Sequence, residues 1–361
     1  MKRSTILVIV AALLLIFAVV LLTDLLIERA SAPQPEPTGN TKESTTAPPT
    51  DPSNPSDPAP TDSTDPSDPT DPSDPPEETD PPGPYIPEPI PDREAEDAIP
   101  GLTAKQALVY DVSENQYLYV YGNKNQRIRP ASLTKLFSSY IALQYLDKDE
   151  VIETGTEILD LHPDFSKAGL QVGDTMTVYY YIQAMLLPSG NDAAYVMAVN
   201  AGRRILNDPT ASIYTAKAAF VEEMNRQAQE LGMTGSHFAN PFGVDDPSHY
   251  TTAADMLTIA RVVMENPVIR THAATARATL RTLNGNVYEL ENSNKLIHPD
   301  SAYYHLNAIG LKTGRTTMAG SCLIGLFQRD DGSYVITCVF GCPGYYDRYT
   351  DSSLLFDTFG K

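Results

Sequence analysis

"PASLTKLF", residues 130–137, sets Ser132 three positions before Lys135 at the head of an apolar-periodic run. Pro130 stiffens the approach, and Leu133, Leu136, Phe137 and Ile141 keep helical spacing. The pattern predicts a helix that starts with Ser132 at or near its N-cap. Residues i and i+3 share a helix face, so the Lys135 amine is expected beside the Ser132 hydroxyl. Serine is a weak nucleophile until a base takes its proton. Lysine is a base only when neutral, and burial or a second cation lowers its pKa toward that state. An isolated S-x-x-K also describes an ordinary cap followed by a solvated lysine, so its meaning depends on the rest of the chain.

The 361 residues are unevenly composed. Twenty of the 30 prolines lie between Pro33 and Pro91, and residues 31–98 carry a net charge of −15 out of −20 for the whole chain. The low isoelectric point is thus a property of one segment. The remaining domain is mildly acidic and lacks the basic face that nucleic-acid binding needs. Lys2 and Arg3 precede an unbroken apolar run from Ile6 to Leu22. Residues 1–30 therefore read as an N-terminal membrane anchor or signal, with the rest of the chain exported. "ASA" at 30–32 resembles a cleavage site. Residues 31–97, with "TDPSDPTDPSDPPEETDPP", bury nothing and favour extended polyproline II, as a disordered spacer does. Its reach is about 200 Å at roughly 3 Å per residue.

Residues 98–361 are enough for one large folded domain or two small lobes. "ALVYDVSENQYLYVYG" predicts a hairpin, and helices dominate the middle. Strands return after Arg277, and "DRYTDSSLLFDTF" closes the chain as a helix. The simplest arrangement is an α+β fold: one antiparallel sheet built from both ends of the chain, with a helical lobe inserted. Cys322, Cys338 and Cys342 are an odd set in an exported chain. Cys322 and Cys338 fall on adjacent strands where they are able to face each other, but small buried thiols are the simpler reading. The histidines form no metal-ligand pattern, and no cofactor is implied.

Two further motifs give the first one its company. Ser189-Gly190-Asn191 lies 57 residues after Ser132, in a Pro-Ser-Gly break between helices, and Lys312-Thr313-Gly314 lies 123 residues after that, at a strand end. S-x-x-K, S-D-N and K-T-G form the motif set of penicillin-binding proteins and class A β-lactamases. With "PASLTKL", "LLPSGNDAA", "ELGMTGSHFANPFGVDDPSHYTTAADM", "ENSNKL" and "GLKTGRTTMAG", the domain resembles a low-molecular-mass penicillin-binding protein. The resemblance is to serine-type D-Ala-D-Ala carboxypeptidases of peptidase family S11. It implies a three-layer αβα, β-lactamase/DD-peptidase-like transpeptidase fold.

The resemblance also implies roles. Ser132 attacks the carbonyl between two D-alanines and forms an acyl-enzyme, and Lys135 takes its proton. Ser189 passes a proton to the leaving D-alanine, and Asn191 orients Lys135 and the substrate amide. Lys312 and Thr313 hold the substrate carboxylate, and Gly314 leaves room along the strand. The backbone N–H groups of Ser132 and Arg315 form the oxyanion hole. Arg315 and Arg348 are further candidates for the terminal carboxylate, with an Asp347 or Asp351 ion pair as the competing reading for Arg348. Asn294 is read as a structural hydrogen-bonder, and Tyr179 to Tyr181 as helix packing. The implied partners are a peptidoglycan stem peptide ending in D-Ala-D-Ala, β-lactam antibiotics as covalent inhibitors, and the membrane through the N-terminal segment.

The middle motif is SGN rather than SDN, which points to the carboxypeptidase branch. Glu222 and Glu223 read as a solvated helix face rather than as a deacylating acid. Only 47 residues follow Gly314, so the N-terminal segment and spacer are expected to replace the C-terminal anchor of many relatives. A β-lactamase or D,D-endopeptidase on the same scaffold, or a non-catalytic wall-binding module, remains the alternative.

Overall fold

The computed structural model describes residues 85–361. The expected N-terminal segment and most of the spacer lie outside the described residues. The predicted hairpin forms as β1 (Gln106–Asp111) and β2 (Gln116–Tyr121). The chain then enters a helical lobe. This contains α1 (Thr134–Tyr145), α2 (Val178–Leu186), α3 (Asn191–Ile205), α4 (Ile213–Glu230), α5 (Ala253–Glu265) and α6 (Pro267–Ala274). A short pair, β3 (Val151–Glu153) with β4 (Thr175–Thr177), braces it. The chain returns through β5 (Arg277–Arg281) and β6 (Val287–Glu291). It then builds β7 (Ala308–Thr316), β8 (Gly320–Gln328) and β9 (Tyr334–Cys342), and ends on α7 (Asp347–Leu355).

The main sheet has the order β2-β1-β9-β8-β7, all antiparallel, so both ends of the chain build it. One expectation is corrected here: β5 and β6 pair only with each other. Their sequences alternate an exposed residue with a half-buried or buried one, as a two-stranded ribbon lying on the lobe requires, whereas β8 and β9 are buried almost throughout. Helix α6 is a short addition to the elements read from sequence. Asn266 caps it through the N–H groups of Val268 and Ile269, and Pro267 starts it.

Both faces of the sheet are covered, which makes three layers. Leu108, Tyr110, Ile324, Ile336 and Cys338 face the helical lobe. Ala107, Val109, Leu323, Phe327 and Val339 face Tyr349, Leu355 and Phe356 of the C-terminal layer. The period-2 alternation along β1 thus feeds two cores rather than one core and solvent. On α1, Leu136, Phe137, Ile141 and Ala142 are fully buried, and a buried Leu or Phe side chain contributes about 2 kcal/mol.

The cysteines are free and buried. Cys338 pairs with Ile324, and Cys322 falls at a break in the β8–β9 register between Ser321 and Leu323. Cys322 and Cys338 are therefore not cross-strand partners. Glu223 is a second correction. It is buried rather than on a solvated face, bonded by Arg226, Gln227 and Tyr145. Burial pushes its pKa up, but those bonds outweigh it and hold the carboxyl down at about 2. Residues 85–97, read as the end of the spacer, lie along the domain. Arg93 bonds the Tyr117 carbonyl, Lys124 bonds Asp92 and the Arg93 carbonyl, and Glu96 N–H donates to Val120. The folded unit therefore begins before Ala98, and this strap covers the outer edge of β2.

Candidate active site

The site begins at Pro130. Its φ of −74° leads the chain into Ala131, whose φ is +49°, and then into a 3-10 turn over Ala131–Leu133. Helix α1 starts only at Thr134. Ser132 is therefore inside the turn and caps nothing, which corrects the sequence expectation. The tighter turn has its own tie, Thr134 Oγ1 donating to the Ala131 carbonyl at 2.8 Å. The Ser132 hydroxyl is left to Lys135, whose Nζ lies 2.9 Å away. Lys135 is 0% exposed. Burial lowers its pKa to about 7, with the Asp192 carboxylate drawing it the other way.

Phe242 completes the lysine's environment: its carbonyl accepts from Nζ at 2.9 Å. The turn that presents this carbonyl is held by Asn240 Oδ1, which accepts from the N–H groups of Phe242, Gly243 and Val244. Gly243 has φ +87°, and a Cβ there would stand 1.7 Å from the Ala131 carbonyl oxygen. No L side chain fits that approach. His249 locks the same region from behind. Its Nδ1 accepts from Ala239 N–H at 3.0 Å, and its Nε2 lies 3.0 Å from Thr134 Oγ1. Burial lowers its pKa to about 4, so the ring is neutral.

Ser189 and Asn191 sit at the junction of α2 and α3. Ser189 has φ +64°, and the Ser189 carbonyl is held by Ser166 Oγ at 2.7 Å. Its own Oγ, buried, has no partner among the described residues, and neither does Asn191 Oδ1. Both line one cleft with Ser132. Unpaired buried polar atoms are costly, and here they face a place where a polar ligand fits. Next to them Asp192 accepts from the N–H groups of Ala168, Gly169 and Leu170, which fixes the loop walling the cleft.

The third motif lies on β7, the edge strand. A Cβ on Gly314 would meet the Pro130 carbonyl at 3.0 Å and Ala131 Cβ at 3.1 Å, so the bare glycine lets the strand approach the serine turn. Thr313, Gly314 and Arg315 line the cleft, whose volume is about 620 Å³. Lys312 lies beneath it, 1% exposed, with Nζ 3.4 Å from Ser293 Oγ and 3.2 Å from the Thr313 carbonyl. Burial, then the charges of Lys135 and Arg348, push its pKa well down. Arg348 is buried and makes no pair with Asp347 or Asp351. It donates to the Gly314 carbonyl at 3.2 Å and to Tyr349 Oη at 2.9 Å, and its Nε is unpartnered. Tyr345 lies under the guanidinium groups of both Arg348 and Arg315, at 4.4 and 5.3 Å.

The structure thus gathers Ser132, Lys135, Ser189, Asn191, Thr313, Gly314, Arg315 and Arg348 around one cleft and keeps Lys312 below its surface. Asn294 supports it as read from sequence, accepting from Leu296 N–H and donating to the Gly310 carbonyl. Four contributors escaped the sequence reading: Phe242, Asp192, Ser293 and Tyr345. Ser293 Oγ lies 2.6 Å from Thr313 Oγ1. Its only sequence signal is its place beside Asn294. Phe242 acts through its backbone, which no side-chain motif reveals.

The chain is similar to known proteins in sequence and fold. The profile of the D-alanyl-D-alanine carboxypeptidase family, peptidase S11, matches residues 93–344. The D-alanyl-D-alanine carboxypeptidase DacF of Bacillus subtilis is 28% identical over 70% of this chain and 61% of its own length. DacB2 of Mycobacterium tuberculosis is 30% identical over 72% of this chain and 83% of its own length. Among solved structures, the Streptomyces K15 DD-transpeptidase superposes with a TM-score of 0.65 at 26% identity, over 72% of this chain and 98% of that one. Penicillin-binding protein D2 of Listeria monocytogenes, in its ampicillin-bound form, gives 0.58 at 28% identity over the same shares. The fold is that of the DD-peptidases, and the chain belongs to the S11 family of D-alanyl-D-alanine carboxypeptidases.

Proposed function

We propose that this chain is a serine-type D-Ala-D-Ala carboxypeptidase that removes the terminal D-alanine from peptidoglycan stem pentapeptides. The observation that carries the reading is the desolvated Lys135 amine, 2.9 Å from Ser132 Oγ, at the base of a cleft lined by Ser189, Asn191, Thr313 and Arg348. With its pKa at about 7, Lys135 is substantially neutral at physiological pH. One amine N–H donates to the Phe242 carbonyl, which turns the lone pair toward the Ser132 O–H. Ser132 Oγ attacks the carbonyl between the D-alanines as Lys135 takes its proton. The oxyanion receives the backbone N–H groups of Ser132 and Arg315, and preorganised donors of this kind supply much of the stabilisation in acyl transfer.

The proton returns from Lys135 through Ser189 to the departing amine, and the C–N bond breaks. Asn191 holds the substrate amide. Thr313, Arg315 and Arg348 receive the leaving D-alanine carboxylate. Lys312 is positioned through Ser293 to orient the Thr313 hydroxyl. Water then attacks the acyl ester on Ser132 and releases a peptide one residue shorter. β-Lactams enter the same sequence at the first step and acylate Ser132. The β-lactamase alternative has less support, because Glu223 is tied to Arg226 and does not line the cleft. By the sequence of residues 1–30 and 31–84, the enzyme works outside the membrane, exported and carried toward the wall by its spacer.

The test compares the full chain with Ser132→Ala in penicillin, followed by intact mass, and then in a pentapeptide ending in D-Ala-D-Ala, followed by free D-alanine. A lasting adduct and D-alanine release from the parent alone are expected. Hydrolysed drug without an adduct would assign a β-lactamase, and untouched drug and peptide would leave a non-catalytic module.

A further inference from the structure

A second recess, about 430 Å³ in volume, opens next to the catalytic cleft. Asp245 joins the two: it accepts from Thr316 Oγ1 at 2.7 Å, on the cleft side, and from Met318 N–H at 3.3 Å, on the recess side. Lys105, Arg127 and Arg129 line the recess, and no acidic residue does. In a domain that is mildly acidic this is a local reversal of sign. Arg129 is committed to the carbonyls of Asp246, Pro247 and His249. The Asp246 carboxylate turns to Ser248, whose N–H and hydroxyl it accepts. Lys105 and Arg127 have no carboxylate partner among the described residues. The Arg127 guanidinium lies over the Tyr250 ring, its carbon 4.0 Å from the ring centre. A cation–π contact of this kind holds a guanidinium in place and does not use up its N–H donors.

Gln106 supplies the complementary group. It is 5% exposed, it lines the recess, and its Oε1 has no hydrogen-bond partner. Its Nε2 reaches Gln126 Oε1 only at 3.5 Å. A buried acceptor left unpaired is unfavourable, so the recess calls for a ligand that brings an N–H. Tyr250, Met318 and Phe340 add apolar surface. The required ligand therefore carries a carboxylate, an N–H donor and some apolar bulk. A peptide has all three, and a polyphosphate has the charge without the donor.

We infer that this recess is a second binding site, for a carboxylate-bearing peptide. Arg127 and Lys105 take the carboxylate, and Gln106 Oε1 accepts a peptide N–H. The proposed function enters only in naming the source, a stem peptide next to the one being cut.

The test uses the full chain in detergent and the probe acetyl-Ala-Glu-Ala-amide, which has no D-Ala-D-Ala end. Binding is read from broadening of the probe's own NMR lines. The expected result is saturable binding, about tenfold weaker for acetyl-Ala-Gln-Ala-amide and for the exposed-site variant K105Q/R127Q, weakened by salt and unchanged in S132A. Penicillin acylation at the parent rate shows that K105Q/R127Q is folded, and Q106L is expected to weaken binding as well. Equal binding of the Glu and Gln probes, or no loss in K105Q/R127Q, overturns the site. Loss in S132A, or displacement by penicillin, assigns the probe to the catalytic cleft instead. Tighter binding of a glycerol-phosphate oligomer overturns the peptide assignment. If Ser132 accepts no acyl group, the proposed function fails while the probe readout still decides this inference.

Discussion

The Phe242 carbonyl lies 2.9 Å from Lys135 Nζ, the same distance as Ser132 Oγ. The two contacts divide the amine's roles. A neutral lysine that donates to the carbonyl has its lone pair free for the serine proton. An ammonium satisfies both oxygens as a donor and takes nothing. Under the proposed mechanism, the site is therefore on or off according to one protonation state.

That state sets the pH dependence of acylation. The Lys135 pKa is about 7, so the rate of penicillin acylation should rise with pH through about 7 and level off above it. Stopped-flow measurements from pH 5 to 9 read this directly. A flat profile would remove Lys135 as the base. Lys135→Ala should lower the rate by about 10² to 10⁴.

Asp192 offers a signed test of the same assignment. Its carboxylate raises the Lys135 pKa against burial. Asp192→Asn removes the charge, so the midpoint of the acylation profile should move to lower pH. The asparagine also loses part of the bonding to the N–H groups of Ala168, Gly169 and Leu170, which should cost about 1–3 kcal/mol in urea unfolding. A midpoint that stays in place or moves up would contradict the electrostatic role.

Gly243 admits no side chain. Its φ is +87° and an added Cβ would lie 1.7 Å from the Ala131 carbonyl. Gly243→Ala must push the Phe242 turn away from the serine turn. Acylation should fall at least about tenfold and stability by about 2 kcal/mol or more, as read by acylation kinetics and thermal melting. Normal kinetics in a normally folded variant would show that the two turns are not rigidly coupled.

Arg348 links the C-terminal helix to the substrate strand through the Gly314 carbonyl. Arg348→Gln should lower kcat/KM for a D-Ala-D-Ala peptide by about 10², chiefly through KM. The unpartnered Nε predicts that the free carboxylate of the substrate matters: an amidated peptide should be poorly cut by the parent and little affected by the substitution.

The domain should lose stability in mild acid. His249 and His272 are buried, and burial lowers the pKa of each to about 4 from an ordinary 6.5. The unfolded chain binds these protons first. The stability they contribute is complete above about 6.5 and is lost as the pH falls from there to about 4. Melting temperatures across that range check it. His249→Gln should flatten the slope.

The sequence by itself picked out the candidate site residues. Ser132 with Lys135, Ser189 with Asn191, and the Lys312–Gly314 strand end are local patterns, each with its own turn or strand signal. Period and punctuation also marked the first hairpin, the helical lobe and the strands after Arg277. Tertiary structure alone decided how these parts act. Ser132 stands in a 3-10 turn rather than at a cap because Gly243 and Gly314 crowd that turn from two sides, far away in sequence. The lysine pKa depends on burial by the whole lobe. Glu223 is buried because α1 meets α4 at that point, and Lys312 sits below the cleft because the Ser293 segment packs beside it. The β5–β6 ribbon leaves the main sheet because its outer faces are polar. Motifs are short-range and legible along the chain, whereas desolvation, close backbone approach and the choice of strand partner are sums over residues that meet only when the chain has folded.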